Sequence, residues 1–370
     1  MDLLRRGDRG SRLTPSFILE TDAKRNFTDF LTATRRMKLY ENDELETLEK
    51  LSAGTSFQAE KCREVSTGSI VVVKKLHEVH DTEGGKRSIP RAVLEEMKIS
   101  IWPPFSKHPN ITRTLGYQDY PNGDGTSVLA LVLEHSTVGT LEAFLEAGKL
   151  RDWGLKRTLA LGVASGLEVL HLYQVVHGDI KPSNILLFER TSSDGSLFLL
   201  AKLSDFGNAI AENNISTLDG VRMRRAYRGT ALWESPIARN YWGTLPFYLL
   251  PKCDVFSFGL VVWSIFKGGS YFEDEWRDVD QSEEECLDEL GVSGLLQKFQ
   301  EFWDGDLPSL PEGLRHSVAN LVKSCMSPKE LLEANSKALP ESSEGLLKEN
   351  FSSIIGLRAL LEEPQRQSQR

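Results

Sequence analysis

Apolar and polar positions divide the chain into a strand-rich first part and a helix-rich second part. Residues 1–44 are polar and lack sustained periodicity, so they read as an extension with some helical character near its end. From about Leu45 to Leu133, short β-branched and apolar runs predict strands. Ile70-Val71-Val72-Val73 is β-branched throughout, and Leu129–Leu133 is another such run. One helix is predicted between them. It starts near Pro90, which suits a first helical turn, and stops near Trp102, because Pro103 and Pro104 disfavour helix in the residue before them.

After residue 136 the period changes. Leu159, Val163, Leu167 and Leu170 recur at steps of three and four, as an amphipathic helix requires. Ile185–Leu187 and Phe198–Leu203 read as strands flanking a turn at Thr191–Ser196 rich in Ser, Asp and Gly. Val255–Phe266 is apolar nearly all round, the pattern of a helix enclosed in a larger body, and is too short to span a bilayer. The pattern is that of a small β-rich lobe followed by a larger helical one.

Composition narrows this picture. The chain has 370 residues, 40% hydrophobic and 26% charged, which excludes whole-chain disorder and leaves room for two or three lobes. A net charge of −9 argues against a general nucleic-acid binder. That charge is local, because residues 273–289 hold ten acids against the single base Arg277, and the remainder balances. The window reads as a solvated acidic insert. The sharper alternative is a docking surface for basic partners, for the arginines of 222–228, or for the N-terminal extension. Cys62, Cys253, Cys286 and Cys325 form no C-x-x-C pair and read as reduced thiols. Met1–Gly7 lacks the apolar stretch of a secretory signal, so the expected location is intracellular and cytoplasmic, with the nucleus as an alternative.

The segment richest in chemistry is His177-Gly178-Asp179-Ile180-Lys181-Pro182-Ser183-Asn184, on a loop between a helix and a strand. An Asp and an Asn five apart on such a loop can face one reaction centre. The carboxylate can orient a hydroxyl or accept its proton, and the amide oxygen can coordinate a metal. Lys181 can set a positive charge near a transferring phosphoryl group. Downstream, Asp205-Phe206-Gly207 breaks a strand at a glycine, and upstream Lys74 ends one. Each fragment alone is weak, and their order along the chain carries the signal.

Over about residues 45–330, that order resembles the eukaryotic-type protein kinases of the serine/threonine kind. The resemblance implies an α+β, two-lobed fold with a β-rich N-lobe at 45–134 and a mainly helical C-lobe at 135–333. A polar extension at 1–44 and a tail at 334–370 would flank them. It implies Lys74 for the α/β-phosphates of ATP, Asp179 as catalytic base with Lys181 beside it, and Asn184 and Asp205 for Mg²⁺. Glu134 resembles the start of the hinge that meets adenine. Gly229-Thr230 resembles the segment that receives the peptide, and Asp254–Gly259 the opening of the large lobe's central helix.

Departures from the family accompany the matches. The phosphate-covering loop reads Ser52-Ala53-Gly54-Thr55-Ser56-Phe57, where only the middle glycine survives. Gly54 lies 20 residues before Lys74, a spacing that selects Lys74 over Lys75, while Phe57 denies the close backbone approach of a glycine. Glu95 and Glu96 point about 100° apart on a helix, so only one can meet the lysine. Glu96-Met97-Lys98-Ile99 matches the family pattern and favours Glu96. Gly178 replaces the usual arginine, which predicts activity that does not depend strongly on phosphorylation between Asp205 and Pro236. Ser235-Pro236-Ile237 lacks the usual glutamate, and its arginine partner is missing after Cys325, with no arginine before Arg358. Losing both members of a buried pair can be near neutral.

Other features rank lower. His77 and His80 have no third ligand nearby, and Gly84-Gly85-Lys86 lacks the rest of a P-loop. His177 is expected to brace the loop and His171 to be structural. Three readings follow: a Mg-ATP-dependent protein kinase acting on Ser/Thr, a pseudokinase scaffold with the same fold, and a small-molecule phosphotransferase of the aminoglycoside type.

Overall fold

The computed structural model describes residues 35, 37–53, 57–76, 96–99, 101–121, 127–211, 217–218, 221–222, 227, 229–240, 247–276, 278, 280–305, 312–326, 358 and 361. The chain divides into two compact units, one drawn from Met1–Lys107 with Thr112–His135, the other from His108–Ile111 with Ser136–Arg370.

The first unit is built on a six-stranded sheet in the order β1-β5-β6-β4-β3-β2. Its strands are β1 (Lys38–Tyr40), β2 (Leu45–Ala53), β3 (Phe57–Glu64), β4 (Ile70–Leu76), β5 (Thr114–Pro121) and β6 (Ser127–Glu134). Both strands read from the sequence are here, each longer than its apolar run. Alternation sets the faces. Val71 and Val73 of β4 join Tyr40, Cys62, Ala130 and Val132 in one buried cluster, which leaves the neighbouring Lys74 on the opposite face.

The end of the N-terminal extension differs from its reading. It is a strand rather than helical, and β1 pairs parallel with β5, Lys38 opposite Gly116. Gly116 permits this approach, because a Cβ there would lie 2.3 Å from the Lys38 carbonyl oxygen. A boundary at residue 44 therefore cuts through the folded sheet. Residues 96–99 are helical, and Trp102 is extended (φ −75°, ψ 124°), as a residue before proline should be. Pro103 and Pro104 then open a new helical turn, Pro103–Ser106.

The second unit is mainly helical. Helix α1 (Leu141–Glu146) is capped by Thr140 and α2 (Trp153–Leu172) by Asp152, each side chain accepting a backbone N–H of the first turn. Leu159, Val163, Leu167 and Leu170 line the buried face of α2, which packs against the strand Leu197–Leu203 and the helix Leu250–Lys267. Strands β9 (Ile185–Thr191) and β10 (Leu197–Leu203) form the hairpin read from the sequence, and β7 (Gly139–Thr140) pairs with β9. The short strand β8 (Val175–Val176) pairs with β11 (Ile210–Ala211). A short helix α3 (Pro236–Asn240) precedes α4 (Leu250–Lys267), which is buried along almost its whole length. At roughly 1.5–3 kcal/mol for each large apolar side chain enclosed, this burial rather than helix propensity holds the unit together. Helices α5 (Glu283–Gly305, interrupted at Gly291) and α6 (Glu312–Cys325) complete it.

The acidic window is partly built into this framework. Glu273 pairs with Lys267. Ser282 and Glu285 exchange hydrogen bonds in a capping box that starts α5. Asp288 pairs with Arg239 at 2.7 Å. The arginine partners suggested at 224, 225 and 228 lie outside the described residues. So does the side chain of Arg222. The segment read as a C-terminal tail also contributes contacts to α2. Arg358 bonds Glu168 at 2.7 Å, and Arg157 Nε donates to the carbonyl of the buried Leu361. Among the described residues, no helix is long and apolar enough to cross a membrane. All four cysteines are buried, and none is in a disulfide.

Candidate active site

The expected site residues fall into two groups, one in each unit. In the first, Lys74 pairs across the sheet with Leu131 on one side and Ala59 on the other, which fixes where its stem leaves β4. Lys74 Nζ donates to Glu96 Oε2 at 2.9 Å, with both side chains nearly enclosed. Glu95 lies outside the described residues, and among the described ones Glu96 is the carboxylate that meets the lysine. Gly54 also lies outside them, as do His77, His80 and Gly84–Lys86. Phe57 does something its sequence position did not reveal. Its ring lies under the Lys74 ammonium, 4.0 Å from centroid to nitrogen, an arrangement the ring quadrupole favours. Glu134, at the end of β6, is committed to Arg113. Its Oε1 accepts the Arg113 backbone N–H at 2.8 Å, and its own N–H donates to the Arg113 carbonyl at 3.0 Å.

In the second unit, the loop after β8 carries Asp179 into a set of donors. Thr230 donates to Asp179 Oδ1 twice, from its backbone N–H at 3.0 Å and from its hydroxyl at 2.8 Å. Asp179 Oδ2 receives Asn184 Nδ2 at 3.0 Å and lies 2.9 Å from Lys181 Nζ. Lys181 also donates to the Thr230 hydroxyl at 2.6 Å. Asp179, Lys181, Asn184 and Thr230 thus form one hydrogen-bonded cluster, whose Thr230 comes from the segment expected to receive peptide.

His177 braces this loop. Its Nδ1 accepts the Asp179 backbone N–H at 3.3 Å, which leaves Nε2 protonated to donate to the Ser204 carbonyl at 3.0 Å. Ser204 precedes Asp205, so one imidazole ties the two motifs together. Asp205 has a left-handed backbone (φ 62°), costly for a non-glycine residue, and its carboxylate caps the turn Phe206–Asn208 through Gly207 N–H. Phe206 is buried beside His177, with ring centroids 5.2 Å apart.

Beneath the loop lies the first residue of the segment that resembles the opening of the large lobe's central helix. Asp254 is fully buried and accepts from His177 N–H at 2.7 Å, Gly178 N–H at 3.0 Å and Tyr227 OH at 3.0 Å, with His171 Nε2 at 3.0 Å. Burial opposes its charge, but the hydrogen bond and charge of His171, with His177 and the Gly178 amide, outweigh it and hold the carboxyl below the usual range. Gly178 has φ +82°, and a Cβ there would lie 2.4 Å from the Asn208 carbonyl oxygen. The missing arginine therefore coincides with a backbone that only glycine accommodates without strain.

Asn184 and Asp205 offer hard oxygen donors of the kind Mg²⁺ takes, one or two side chains with phosphates completing the sphere. Asn184 spends its amide hydrogens on the Asp179 carbonyl and carboxylate, which leaves the amide oxygen to act as an acceptor. The residues present fit the ion.

The family model for the protein kinase domain matches residues 45–331. A G-type lectin S-receptor-like serine/threonine-protein kinase of Oryza sativa subsp. indica is 32% identical over 221 residues, covering 58% of this chain and 23% of that protein. A leucine-rich repeat receptor-like serine/threonine-protein kinase of Arabidopsis thaliana is 30% identical over 223 residues, covering 59% of this chain and 17% of its own length. Human mitogen-activated protein kinase kinase kinase 13 is 30% identical over 183 residues, covering 48% and 15%. The matched region is thus a quarter or less of each relative.

Proposed function

The chain belongs to the protein kinase domain family, and on that premise we propose that it is a Mg-ATP-dependent serine/threonine kinase. The observation that carries the proposal is the clamped Asp179 carboxylate, with Lys181 and Asn184 on one oxygen and Thr230 on the other. Asp179 orients the acceptor hydroxyl and takes its proton as the new O–P bond forms and the β,γ-bridging oxygen departs with ADP. Lys181 holds positive charge beside the transferring group, and Lys74, fixed by Glu96, holds the α/β-phosphates. Mg²⁺, held by Asn184 and Asp205, would neutralise charge on the phosphate oxygens. Glu134 contributes to adenine binding through its main-chain carbonyl, because its carboxylate and its N–H are both engaged by Arg113. The names of the relatives support a Ser/Thr hydroxyl of a protein as acceptor. On this reading the kinase domain spans 45–333 with β1 added to its N-lobe, and its location is the cytoplasm.

One observation favours a second reading, a binding or scaffold module with weak transfer. Phe57 covers the ammonium that should meet phosphate. Incubation of the full chain with γ-labelled ATP, Mg²⁺ and a generic protein acceptor, beside Asp179→Asn, decides between them. Label on the acceptor that vanishes in the variant supports the kinase. No label on the acceptor, with nucleotide still bound, supports the scaffold.

A further inference from the structure

The contacts of Asp179 depend on where Thr230 is held, and Thr230 sits on a segment that lacks two of its family's usual anchors. Gly178 provides no cation for a phosphorylated residue, and Ile237 provides no carboxylate for an ion pair. Other contacts stand on either side of Thr230.

Three residues before Thr230, Tyr227 is buried and its hydroxyl donates to Asp254 Oδ1 at 3.0 Å. The same carboxylate receives the N–H groups of His177 and Gly178. One buried anion therefore fastens both the loop that bears Asp179 and the segment that approaches it. Burial, with the nearby Asp254 charge, pushes the Tyr227 hydroxyl well above its ordinary range, so it stays a donor at neutral pH.

On the other side, Arg239 of α3 reaches back to Ala231, the residue after Thr230. Its Nη2 donates to the Ala231 carbonyl and its Nη1 to Asp288 Oδ1 on α5 at 2.7 Å. A planar guanidinium can hold both partners at once in a fixed geometry. Asp288, part of the acidic window, thereby gains an internal task.

We infer that Tyr227 and Arg239 are positioning residues that hold Thr230 against Asp179 without any phosphorylated residue. The inference rests on the kinase reading for its kinetic consequence but not for its structural one. Neither contact involves a modified side chain, and the buried Tyr227 hydroxyl is closed to a modifying enzyme.

The test uses the full chain and four proteins: wild type, Tyr227→Phe, Arg239→Met and Arg239→Lys. Amide hydrogen exchange at Thr230, whose N–H donates to Asp179, reads the anchoring directly. Exchange should quicken roughly tenfold in Tyr227→Phe and in Arg239→Met, the size of one hydrogen bond to a charged group. Arg239→Lys should recover part of the protection. In transfer assays kcat for the acceptor should fall by a similar factor while KM for ATP stays constant. Phosphatase treatment of wild type should change neither quantity. Unchanged Thr230 protection in both Tyr227→Phe and Arg239→Met overturns the inference, and so does protection that phosphatase removes from wild type. If wild type transfers no phosphoryl group, the kinase reading fails, yet the exchange data still decide the anchors. If Tyr227→Phe melts early, Arg239→Met and its Lys rescue carry the decision.

Discussion

Lys74 and Glu96 form a 2.9 Å ion pair in which the lysine side chain is 11% exposed and the glutamate 3%. Removing one partner of such a pair strands the other charge in a poorly solvated place, which is worse than never having had the pair. Glu96→Gln is therefore expected to lose about 3 kcal/mol of folding stability in urea denaturation. Glu95→Gln, at a position expected from the sequence to point about 100° away from Glu96, should lose less than about 0.5 kcal/mol. Equal losses in the two variants would contradict the pairing.

Phe57 stands against the same ammonium. A cation over an aromatic face is held by roughly 1 kcal/mol, and phosphate must compete with that. Phe57→Ala should accordingly tighten nucleotide binding about fivefold by calorimetry, since 1 kcal/mol is close to that factor. A weaker nucleotide complex in Phe57→Ala would mean that the ring supports the site rather than shielding it.

Gly178 invites the substitution that would restore the family residue, and the backbone argues against it. At φ +82° an L-residue costs about 1–2 kcal/mol, and the added Cβ would press on the Asn208 carbonyl. Gly178→Arg is expected to melt at a lower temperature and to gain no transfer activity. A stable variant whose activity becomes phosphatase-sensitive would show that the loop can adopt the family geometry.

Much of this was legible in the sequence, where one signal dominated. Amphipathic spacing placed α2, because a half-buried element must repeat its apolar residues, and two apolar runs on either side of a Ser/Asp/Gly turn placed the β9–β10 hairpin. Motif order singled out Asp179, Lys181, Asn184 and Asp205, and the fold gathers the first three into one hydrogen-bonded cluster. Contacts between residues distant in sequence and of ordinary type left no trace. Tyr227 reaches Asp254 across 27 positions, and Arg239 reaches Asp288 across 49. No local pattern encodes either contact. Strand β1 escaped notice because three residues are too few for a period to show, and its place is set by Gly116 in a distant strand. The acidic window was visible as charge and its Ser282–Glu285 capping box is a local pattern, but its pair with Arg239, 49 positions away, depends on how the chain folds back.

Lys156 supplies a test of pH dependence. It is 5% exposed, its ammonium lies 4.3 Å from the Trp153 ring centroid, and it donates to the Phe266 carbonyl at the end of α4. Among the described residues no carboxylate pairs with it, and burial lowers its pKa from 10.5 to about 8. Between those values the unfolded chain binds more protons than the folded one, so stability rises with pH. The gain is absent below pH 8 and complete above 10.5, and amounts to about 3 kcal/mol at 1.36 kcal/mol per pH unit. Other groups titrate in that range, so the comparison is with Lys156→Met, which keeps the apolar stem and removes the charge. The difference in unfolding free energy between Lys156→Met and wild type should be largest near pH 7.5 and shrink by about 3 kcal/mol by pH 10.5. A difference that stays constant with pH would show that Lys156 is charged at no cost, with the Phe266 carbonyl and the Trp153 ring replacing its lost water.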